Sequence, residues 1–487
     1  MKHRVLAIGL DAADSKLIRL LIDQGEMPVL GSVLADGRWI DISSTADVGS
    51  SSVWPTFTTG QDPDIHGIYS EWCWEPQSMG LSMLSGQHLN PFWKMLSQKG
   101  HSVGVLGVPF MPLVGLSTGF EVSERPPFVS SNGDRPVVTA ARARGALSHG
   151  TIKVAGPNDT RNLQKLAADS LKGISLRSEL AEQLISKMQP DVSIVVFTET
   201  HEVSHCLWQT VEPDHPLFPQ PSVKELAGIR PSLREIFREV DQQLGRLMET
   251  VSEDSSLLVF SLHGMTAGRG APTFLPDLMC SAGFSKPAEM RKQTWGDRLT
   301  HSVRTMKKYT PAALKKLYYR AVSQDTVRRL AAPTLLPQYD WARTSAFVIV
   351  EEHLSSIRIN LKGREAQGSV DVDDYERVCR EVEDWLWGLR SAAGLPLTKK
   401  VIRTATHGGE ALKRRLPDIV IHWHDCAFAS PLRVSGNDRE FSRDGERHLS
   451  QHTGKGFCIL RSPKRVEVDS VLPLRSLGKL IETLVAS

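Results

Sequence analysis

The sequence lacks long apolar runs, paired cysteines and a strong charge of one sign. No apolar stretch approaches the roughly 18 residues that a membrane-spanning helix needs. The six cysteines are scattered and no two form a C-x-x-C pair, so neither a zinc knuckle nor a disulfide framework is indicated. A formal net charge of +3 over 487 residues is too small to indicate nucleic-acid binding by itself.

The chain also shows no internal repeat, no low-complexity tract and no signal peptide. Its start, MKHRVLAIGLDAAD, leads directly from a short apolar run into a helical pattern. With 40% hydrophobic and 23% charged residues, the composition is that of an ordinary globular protein. We therefore expect a cytoplasmic protein without a transmembrane segment. Length would allow about three domains, but one large domain over residues 1–487 fits as well and is our prediction.

Short apolar runs rich in β-branched residues recur along the chain, with helical patterns between them. Most runs are continuous rather than alternating, which is typical of strands covered on both faces. Alternation of strands and helices over this length predicts an α/β fold with a mostly parallel sheet. The runs are Val5–Leu10, Val103–Val108, Val192–Phe197, Leu257–Ser261, Ala346–Val350, Ile357–Leu361, Ile419–Trp423 and Phe457–Leu460.

Two segments interrupt this alternation and are predicted to be insertions. Residues 126–158 are rich in Pro, Gly, Ser and Arg, which indicates a long loop. Residues 290–340 contain the basic, helix-patterned stretch Leu299–Leu330, whose single acidic residue is Asp325. We interpret this stretch as the solvated face of a helical insertion, and a lid that recognises an anionic substrate or a membrane surface is the alternative.

Two carboxylates follow the first predicted strand. In open α/β sheets, ligands and metals bind at the carboxyl ends of the strands, where Asp11 and Asp14 fall. Either side chain could instead cap the helix that follows. Asp14 is nearer the helix and is the better cap, whereas Asp11 is nearer the strand and is the better ligand.

Histidines occupy comparable positions beside later strands. His201 and His205 lie four residues apart just after Val192–Phe197, so on a helix they share a face and can bind one ion. His263 follows another strand. An H-x-x-x-H pattern is common by chance and a single histidine is usually structural, but the strand-end positions favour a metal site. Glu199 and Glu202 are nearby carboxylates.

The stretch from Gly49 to Tyr69 reads GSSSVWPTFTTGQDPDIHGIY and contains a TG-x-x-P-x-x-HG pattern. Here the sequence resembles the alkaline phosphatase superfamily and, within it, bacterial type I phosphodiesterase/nucleotide pyrophosphatase-like proteins. In that family the nucleophile lies ten residues before the glycine of the TG pair, which corresponds to Ser50. Ser51 and Ser52 are neighbouring candidates. His66, within the pattern, is expected to be structural.

The resemblance extends to the metal-binding motifs, with two departures. His205 matches the histidine of a D-x-x-x-H motif, and His201 stands where the aspartate is usual. His263 matches the histidine of S-D-H-G-M, but Leu262 replaces the aspartate. A late motif, in which a histidine precedes a glycine by four residues, is met by His452; the competing candidate is His448.

These matches imply two metal sets. One contains His201, His205 and His452, a three-histidine set that suits zinc. The other, weaker set contains Asp11, Ser50 and His263. We expect one or two divalent ions, zinc before manganese. Coordination would lower the pKa of the serine hydroxyl, which is otherwise a poor nucleophile near neutral pH.

The resemblance implies an alkaline-phosphatase-like three-layer sandwich, with helices on both faces of the sheet and inserted cap segments. The implied function is metal-dependent hydrolysis of a small-molecule or conjugated phosphate ester, as a diester or pyrophosphate, through a phosphoryl-Ser50 intermediate. A sulfatase or phosphotransferase of the same superfamily is one alternative, although residue 50 is not the cysteine of sulfatases. A degenerate member that binds a phosphorylated ligand or a partner without turnover is the other. The sequence indicates no substrate-binding residue.

Basic side chains also occur in the C-terminal half, which carries no evident catalytic residue. Arg358, Lys362 and Arg364 lie in the run IRINLKGREAQGSV. We expect them at a solvated edge, and contact with an anionic substrate is the alternative.

Overall fold

The computed structural model describes residues 4–83, 88–123, 131–132, 135–136, 159–212, 231–268, 274–288, 338–350, 354–428, 431–441 and 450–486. Contacts divide the chain into two compact units. The first unit comprises Met1–Tyr69, Ser85–Gly270 and Arg443–Ser487, and the second comprises Ser70–Leu84 and Ala271–Ser442. Of the predicted insertions 126–158 and 290–340, only residues 131–132, 135–136 and 338–340 are described, so both predictions lie almost wholly outside the described residues.

The described strands are β1 (Val5–Leu10), β2 (Arg38–Ser43), β3 (Trp72–Glu75), β4 (Gly80–Met83), β5 (Val103–Leu106), β6 (Gly119–Val122), β7 (Ser131–Asn132), β8 (Arg135–Pro136), β9 (Val192–Phe197), β10 (Ser256–Ser261), β11 (Gly264–Ala267), β12 (Ala346–Val350), β13 (Ser355–Ile359), β14 (Thr398–Arg403), β15 (Ile419–Trp423), β16 (Leu432–Arg433), β17 (Glu440–Phe441), β18 (Ser450–Thr453), β19 (Lys455–Arg461) and β20 (Val471–Pro473).

The described α-helices are α1 (Ser15–Asp23), α2 (Pro28–Ala35), α3 (Val53–Thr59), α4 (Pro63–His66), α5 (Phe92–Gln98), α6 (Thr160–Met188), α7 (Glu199–Leu207), α8 (Leu233–Met248), α9 (Leu275–Ala282), α10 (Tyr375–Gly388), α11 (Gly408–Ala411) and α12 (Leu477–Ala486). None of these helices is both long enough and apolar enough to cross a membrane.

The first unit is built on an eight-stranded sheet with the order β20-β2-β19-β10-β1-β9-β5-β6. Five of its seven strand pairs are parallel; β19 runs antiparallel to both of its neighbours. Strands β1, β9 and β10 are buried along their whole length, as their continuous apolar runs predict. The prediction of a mostly parallel α/β sheet is therefore confirmed.

Alternate residues of β1 pack against helices on opposite faces of this sheet. Leu6 and Ile8 belong to the apolar core that also contains residues of α1, α6 and α8. Gly9 points the other way, and a β-carbon placed there would lie 3.1 Å from the ring of Trp54 on α3. Since side chains alternate along a strand, the sheet is covered on both faces and the architecture has three layers, as predicted.

The second unit contains the four-stranded antiparallel sheet β12-β13-β15-β14 and the hairpin β3-β4. Its interior holds a charged network. Arg358 Nε lies 2.7 Å from Glu365 Oε1, Arg364 Nη2 lies 2.7 Å from Asp418 Oδ2, and all four side chains are buried. Tyr375 Oη donates to Asp418 Oδ1 at 2.9 Å.

The expectation that Arg358 and Arg364 lie at a solvated edge is wrong, and so is the alternative of substrate contact. Their charges are compensated inside the protein by carboxylates, which is the condition under which arginine is buried. Lys362, between them in sequence, is exposed and pairs with Asp371, as expected for a solvated edge.

Candidate metal centre

Three imidazoles from two parts of the chain point at one another. The Nε2 atom of His201 lies 3.1 Å from that of His205 and 2.8 Å from that of His452. The Nε2 atoms of His205 and His452 lie 3.0 Å apart. Among the described residues, these three form the group of histidine, cysteine or acidic side chains whose potential ligand atoms lie within 4.8 Å of one another. The structure thus brings together the whole predicted three-histidine set.

The fold explains how these histidines meet. Helix α7 begins at Glu199, directly beyond the carboxyl end of β9, and carries His201 and His205 one turn apart. Strand β18 pairs antiparallel with β11, and this pairing places His452 opposite Met265, two residues after His263. The site therefore lies at the carboxyl ends of β9 and β10, where ligands bind in open α/β sheets.

The orientation of His205 is fixed by a contact behind it. Its Nδ1 lies 3.2 Å from the carbonyl oxygen of Ser450, to which it can donate. A proton on Nδ1 leaves the lone pair of Nε2 free to point at His201 and His452. Hydrogen bonds of this kind fix the tautomer and the ring direction of metal-binding histidines. The Ser450 hydroxyl also lies 3.3 Å from the same nitrogen, and nothing in the sequence singles out this serine.

Asp11 lies at the carboxyl end of β1, beside the histidines. Its Oδ1 accepts from Trp54 Nε1 at 3.0 Å and lies 3.6 Å from His263 Nε2, and its Oδ2 lies 3.4 Å from His201 Nδ1. Burial alone would raise the pKa of this carboxyl, but the charges and hydrogen bonds of His201 and His263 outweigh burial and hold the pKa well below its usual range. Asp11 is therefore ionised near neutral pH.

Thr200 holds the backbone of Asp11 in place. Its buried hydroxyl contacts the Asp11 carbonyl oxygen at 2.6 Å and the Phe197 carbonyl oxygen at 2.9 Å, and the Asp11 amide donates to the same Phe197 oxygen. The threonine precedes His201, so one residue connects the ends of β1 and β9. Sequence reasoning missed Thr200 because a threonine beside a histidine carries no distinctive signal.

Asp14 has the capping role that the sequence predicts. Its Oδ1 accepts from the backbone amides of Lys16 and Leu17, both at 3.0 Å, at the start of α1. Burial raises the pKa of this carboxyl, against the opposing effect of these hydrogen bonds. Of the two early aspartates, only Asp11 lies against the histidine cluster through its side chain.

His263 is buried beside the three-histidine set but belongs to a different arrangement. Its ring centre lies 4.4 Å from that of His452 and 5.9 Å from that of His201. Its Nε2 faces Asp11, and its Nδ1 lies 3.3 Å from the carbonyl oxygen of Gly264. The preceding Leu262 is completely buried and offers no donor atom.

Ser50 lies in a 3-10 helix, Ser50–Ser52, directly before α3, and is half-buried. No hydrogen bond connects its hydroxyl to Asp11 or the histidines among the described residues. Ser52, one of its competitors, is fully buried and its hydroxyl lies 2.7 Å from that of Thr45. Ser52 therefore serves the local fold, whereas the hydroxyl of Ser50 has no structural hydrogen bond within the part of the chain that the structure describes.

The remaining candidates have structural surroundings or fall outside the described residues. His66 lies 3.0 Å from the Thr56 hydroxyl and accepts from the Ile68 amide, and burial, with the nearby His88, lowers its pKa to about 4. Glu199 pairs with Arg177 at 2.9 Å, with both side chains completely buried. His448 lies outside the described residues.

The chain is similar to one protein family in sequence and to solved structures in fold. The sequence profile of the type I phosphodiesterase / nucleotide pyrophosphatase family matches residues 5–429. No protein of curated function gives a significant match. Phosphonoacetate hydrolase from Sinorhizobium meliloti 1021, solved with phosphonoformate, has a TM-score of 0.56 and 13% identity, covering 99% of this chain and 96% of that chain.

The same hydrolase with phosphonoacetate gives a TM-score of 0.56 and 14% identity, with the same coverage of 99% and 96%. Murine ectonucleotide pyrophosphatase / phosphodiesterase 5, in complex with AMP, has a TM-score of 0.47 and 12% identity over 100% of this chain and 95% of that chain. At this identity, the similarity to the bacterial hydrolase shows a shared alkaline-phosphatase-like fold.

Proposed function

Since the chain belongs to the type I phosphodiesterase/nucleotide pyrophosphatase family, we propose that it is a metal-dependent hydrolase of phosphate esters. Its substrate would be a phosphodiester or a pyrophosphate, as a small molecule or a conjugate. The observation that carries the metal requirement is the convergence of the Nε2 atoms of His201, His205 and His452 at distances of 2.8–3.1 Å.

These three residues suit a catalytic zinc ion. Zinc binds imidazole nitrogen at about 2.0–2.1 Å in a tetrahedral arrangement, which places neighbouring nitrogens about 3.3 Å apart. The observed separations of 2.8–3.1 Å are within about half an ångström of that value. Three protein ligands leave one position for water or a substrate oxygen, as in catalytic zinc sites. When bound, the ion would polarise the phosphoryl group and stabilise developing negative charge.

We assign the nucleophile to Ser50, at the position implied by the family pattern. Ser50 is half-buried and, among the described residues, its hydroxyl makes no structural hydrogen bond, in contrast to that of Ser52. The Ser50 oxygen would attack phosphorus, and the bond from phosphorus to the leaving oxygen would break. Water would then cleave the phosphoryl-Ser50 ester and release phosphate or its monoester.

A catalytically degenerate protein that binds a phosphorylated ligand is the second candidate. The observation that favours it is the buried Leu262, which provides no ligand where the family motif has an aspartate. In this alternative the three histidines would hold a metal that binds phosphate without turnover. Transfer of the phosphoryl group to another acceptor would share the first step of the hydrolase, and product analysis would identify it.

Hydrolysis assays on the wild type and two serine variants test the proposal. We expect zinc- or manganese-loaded wild type to cleave bis(p-nitrophenyl) phosphate faster than p-nitrophenyl phosphate. The Ser50→Ala variant should lose roughly a thousandfold or more of kcat/KM, as expected for removal of a nucleophile. The matched Ser51→Ala variant should stay within a few-fold of the wild type.

The outcomes separate the candidates. Metal content equal to that of the wild type would show that the Ser50→Ala variant has kept its site. An undiminished rate in this variant would reject Ser50 as the nucleophile. A metal-loaded wild type that binds phosphate but cleaves none of the esters would support the degenerate protein.

A further inference from the structure

We propose that Asp11 orients histidines instead of binding metal, so that the chain binds one metal ion and not two. The inference rests on the proposed function in one respect, namely that the histidine cluster binds a divalent ion. Asp11, Ser50 and His263 then form no second metal site. Asp11 instead supports the three-histidine site by orienting its histidines.

Both oxygens of the Asp11 carboxylate face ring nitrogens of the protein. Oδ1 accepts from the indole of Trp54 at 3.0 Å and lies 3.6 Å from His263 Nε2. Oδ2 lies 3.4 Å from His201 Nδ1. The Trp54 N–H donates to this carboxylate and two imidazole nitrogens lie 3.4 and 3.6 Å from it, so an ion in the same place would have to displace these three rings.

His201 connects Asp11 to the three-histidine site through its two ring nitrogens. Nε2 points at His205 and His452, at 3.1 and 2.8 Å, and Nδ1 points at Asp11. Metal-binding histidines almost always donate their other N–H to a carboxylate, a carbonyl or water, which fixes the ring and raises its basicity. Asp11 is this acceptor for His201, as the Ser450 carbonyl is for His205.

The predicted second set, Asp11, Ser50 and His263, offers too few ligand atoms for another ion. Zinc sites in proteins use at least three protein ligands. The buried Leu262 contributes none, His263 turns its Nε2 to Asp11, and the Ser50 hydroxyl has no hydrogen bond to either residue among those described. In the described part of the chain, one group of three ligand side chains is present, and it excludes Asp11 and His263.

Metal stoichiometry and affinity test this inference without an activity assay. Native mass spectrometry after incubation with excess zinc should give one ion per wild-type chain. Asp11→Asn, which keeps an acceptor for Trp54, should still bind one ion but about 10–100-fold more weakly, as measured by competition with a chromogenic chelator. His263→Ala should likewise retain one ion.

The matched control is Asp241→Asn. Asp241 is also a buried carboxylate and accepts from the amides of Val29 and Leu30, away from the histidines, so its replacement should leave zinc affinity unchanged. Near-ultraviolet circular dichroism establishes that each variant folds. X-ray absorption of the zinc-loaded wild type needs no variant and should show three imidazole ligands.

Each other result would overturn the inference. Two ions in the wild type, with loss of one in Asp11→Asn or His263→Ala, would make these residues ligands. No bound ion, or wild-type affinity in Asp11→Asn, would equally reject the orienting role. Two ions with ester hydrolysis intact would reject this inference and keep the proposed function. One ion without any hydrolysis would keep this inference and reject the proposed function.

Discussion

The Nε2 atoms of His201 and His452 lie 2.8 Å apart, although 251 positions separate the two residues in sequence. His205 adds a third Nε2 at 3.0–3.1 Å from both. Two imidazole nitrogens can share one proton in a hydrogen bond, but three nitrogens that face one point cannot all form hydrogen bonds with one another. A cation at that point satisfies all three, which is why such clusters are typical of metal sites.

Gly49 has no room for a side chain, so we expect Gly49→Ala to disturb the neighbouring Ser50. A β-carbon at this position would lie 2.2 Å from the backbone carbonyl oxygen of Tyr69. Either that carbonyl or the Ser50 backbone must move, and displacement of a nucleophile by about 1 Å costs roughly a hundredfold in rate. Steady-state kinetics should show this loss with metal content unchanged.

Gly31→Ala is the control, because a β-carbon there would meet its nearest neighbour, Ile22, at an ordinary 3.5 Å. It should keep full activity and gain up to about 1 kcal/mol of helix stability. Full activity in Gly49→Ala would show that the backbone before Ser50 is not constrained as described.

The buried and exposed ion pairs of the second unit should differ sharply in their contribution to stability. Asp418→Asn removes the carboxylate that contacts Arg364 at 2.7 Å, leaving a buried guanidinium with incomplete charge compensation. We expect a loss of about 3–5 kcal/mol in the free energy of unfolding. Asp371→Asn breaks the exposed pair with Lys362 and should cost less than about 1 kcal/mol. Urea unfolding measures both; similar losses would contradict a special role for the buried network.

Acid should destabilise the protein partly through His66. Its pKa is lowered from 6.5 to about 4, chiefly by burial. Between these values the unfolded chain binds a proton that the folded chain does not, so stability is complete above pH 6.5 and falls as the pH is lowered towards 4. At about 1.4 kcal/mol per unit, the loss reaches about 3 kcal/mol.

Unfolding free energies measured between pH 4.5 and 7 should therefore show a smaller pH slope in His66→Gln. Thr56→Val removes the hydroxyl that contacts His66 but keeps the imidazole, so this variant should be less stable and retain the slope. An unchanged slope in His66→Gln would assign the acid sensitivity to other groups.

The central sheet and the pairing of His201 with His205 were predictable from short-range patterns in the sequence, whereas the third histidine, His452, followed from the resemblance to a family motif. Continuous apolar runs identify buried strands such as β1 and β9, and the carboxyl ends of parallel strands meet at one edge. Histidines at these ends are consequently brought together. The i, i+4 spacing of His201 and His205 adds a second local signal.

The supporting contacts were not predictable in the same way. Arg177 meets Glu199 across 22 positions, and Ser450 meets His205 across 245, so neither pair leaves a local pattern. The sequence predicts an exposed edge for Arg358 and Arg364 because the compensating Asp418 lies 54 residues from Arg364. Burial of charge depends on such distant partners, which one sequence without its fold does not identify.

The metal requirement is tested most directly by the metal content of purified, untagged protein, measured by elemental mass spectrometry without chelators. The wild type should hold about one zinc or manganese ion per chain, and His205→Ala should hold almost none. His101→Ala, which removes a histidine near Asp191 and away from the cluster, should match the wild type. A wild type that holds no metal after incubation with zinc and manganese would show that the three histidines are not a metal site.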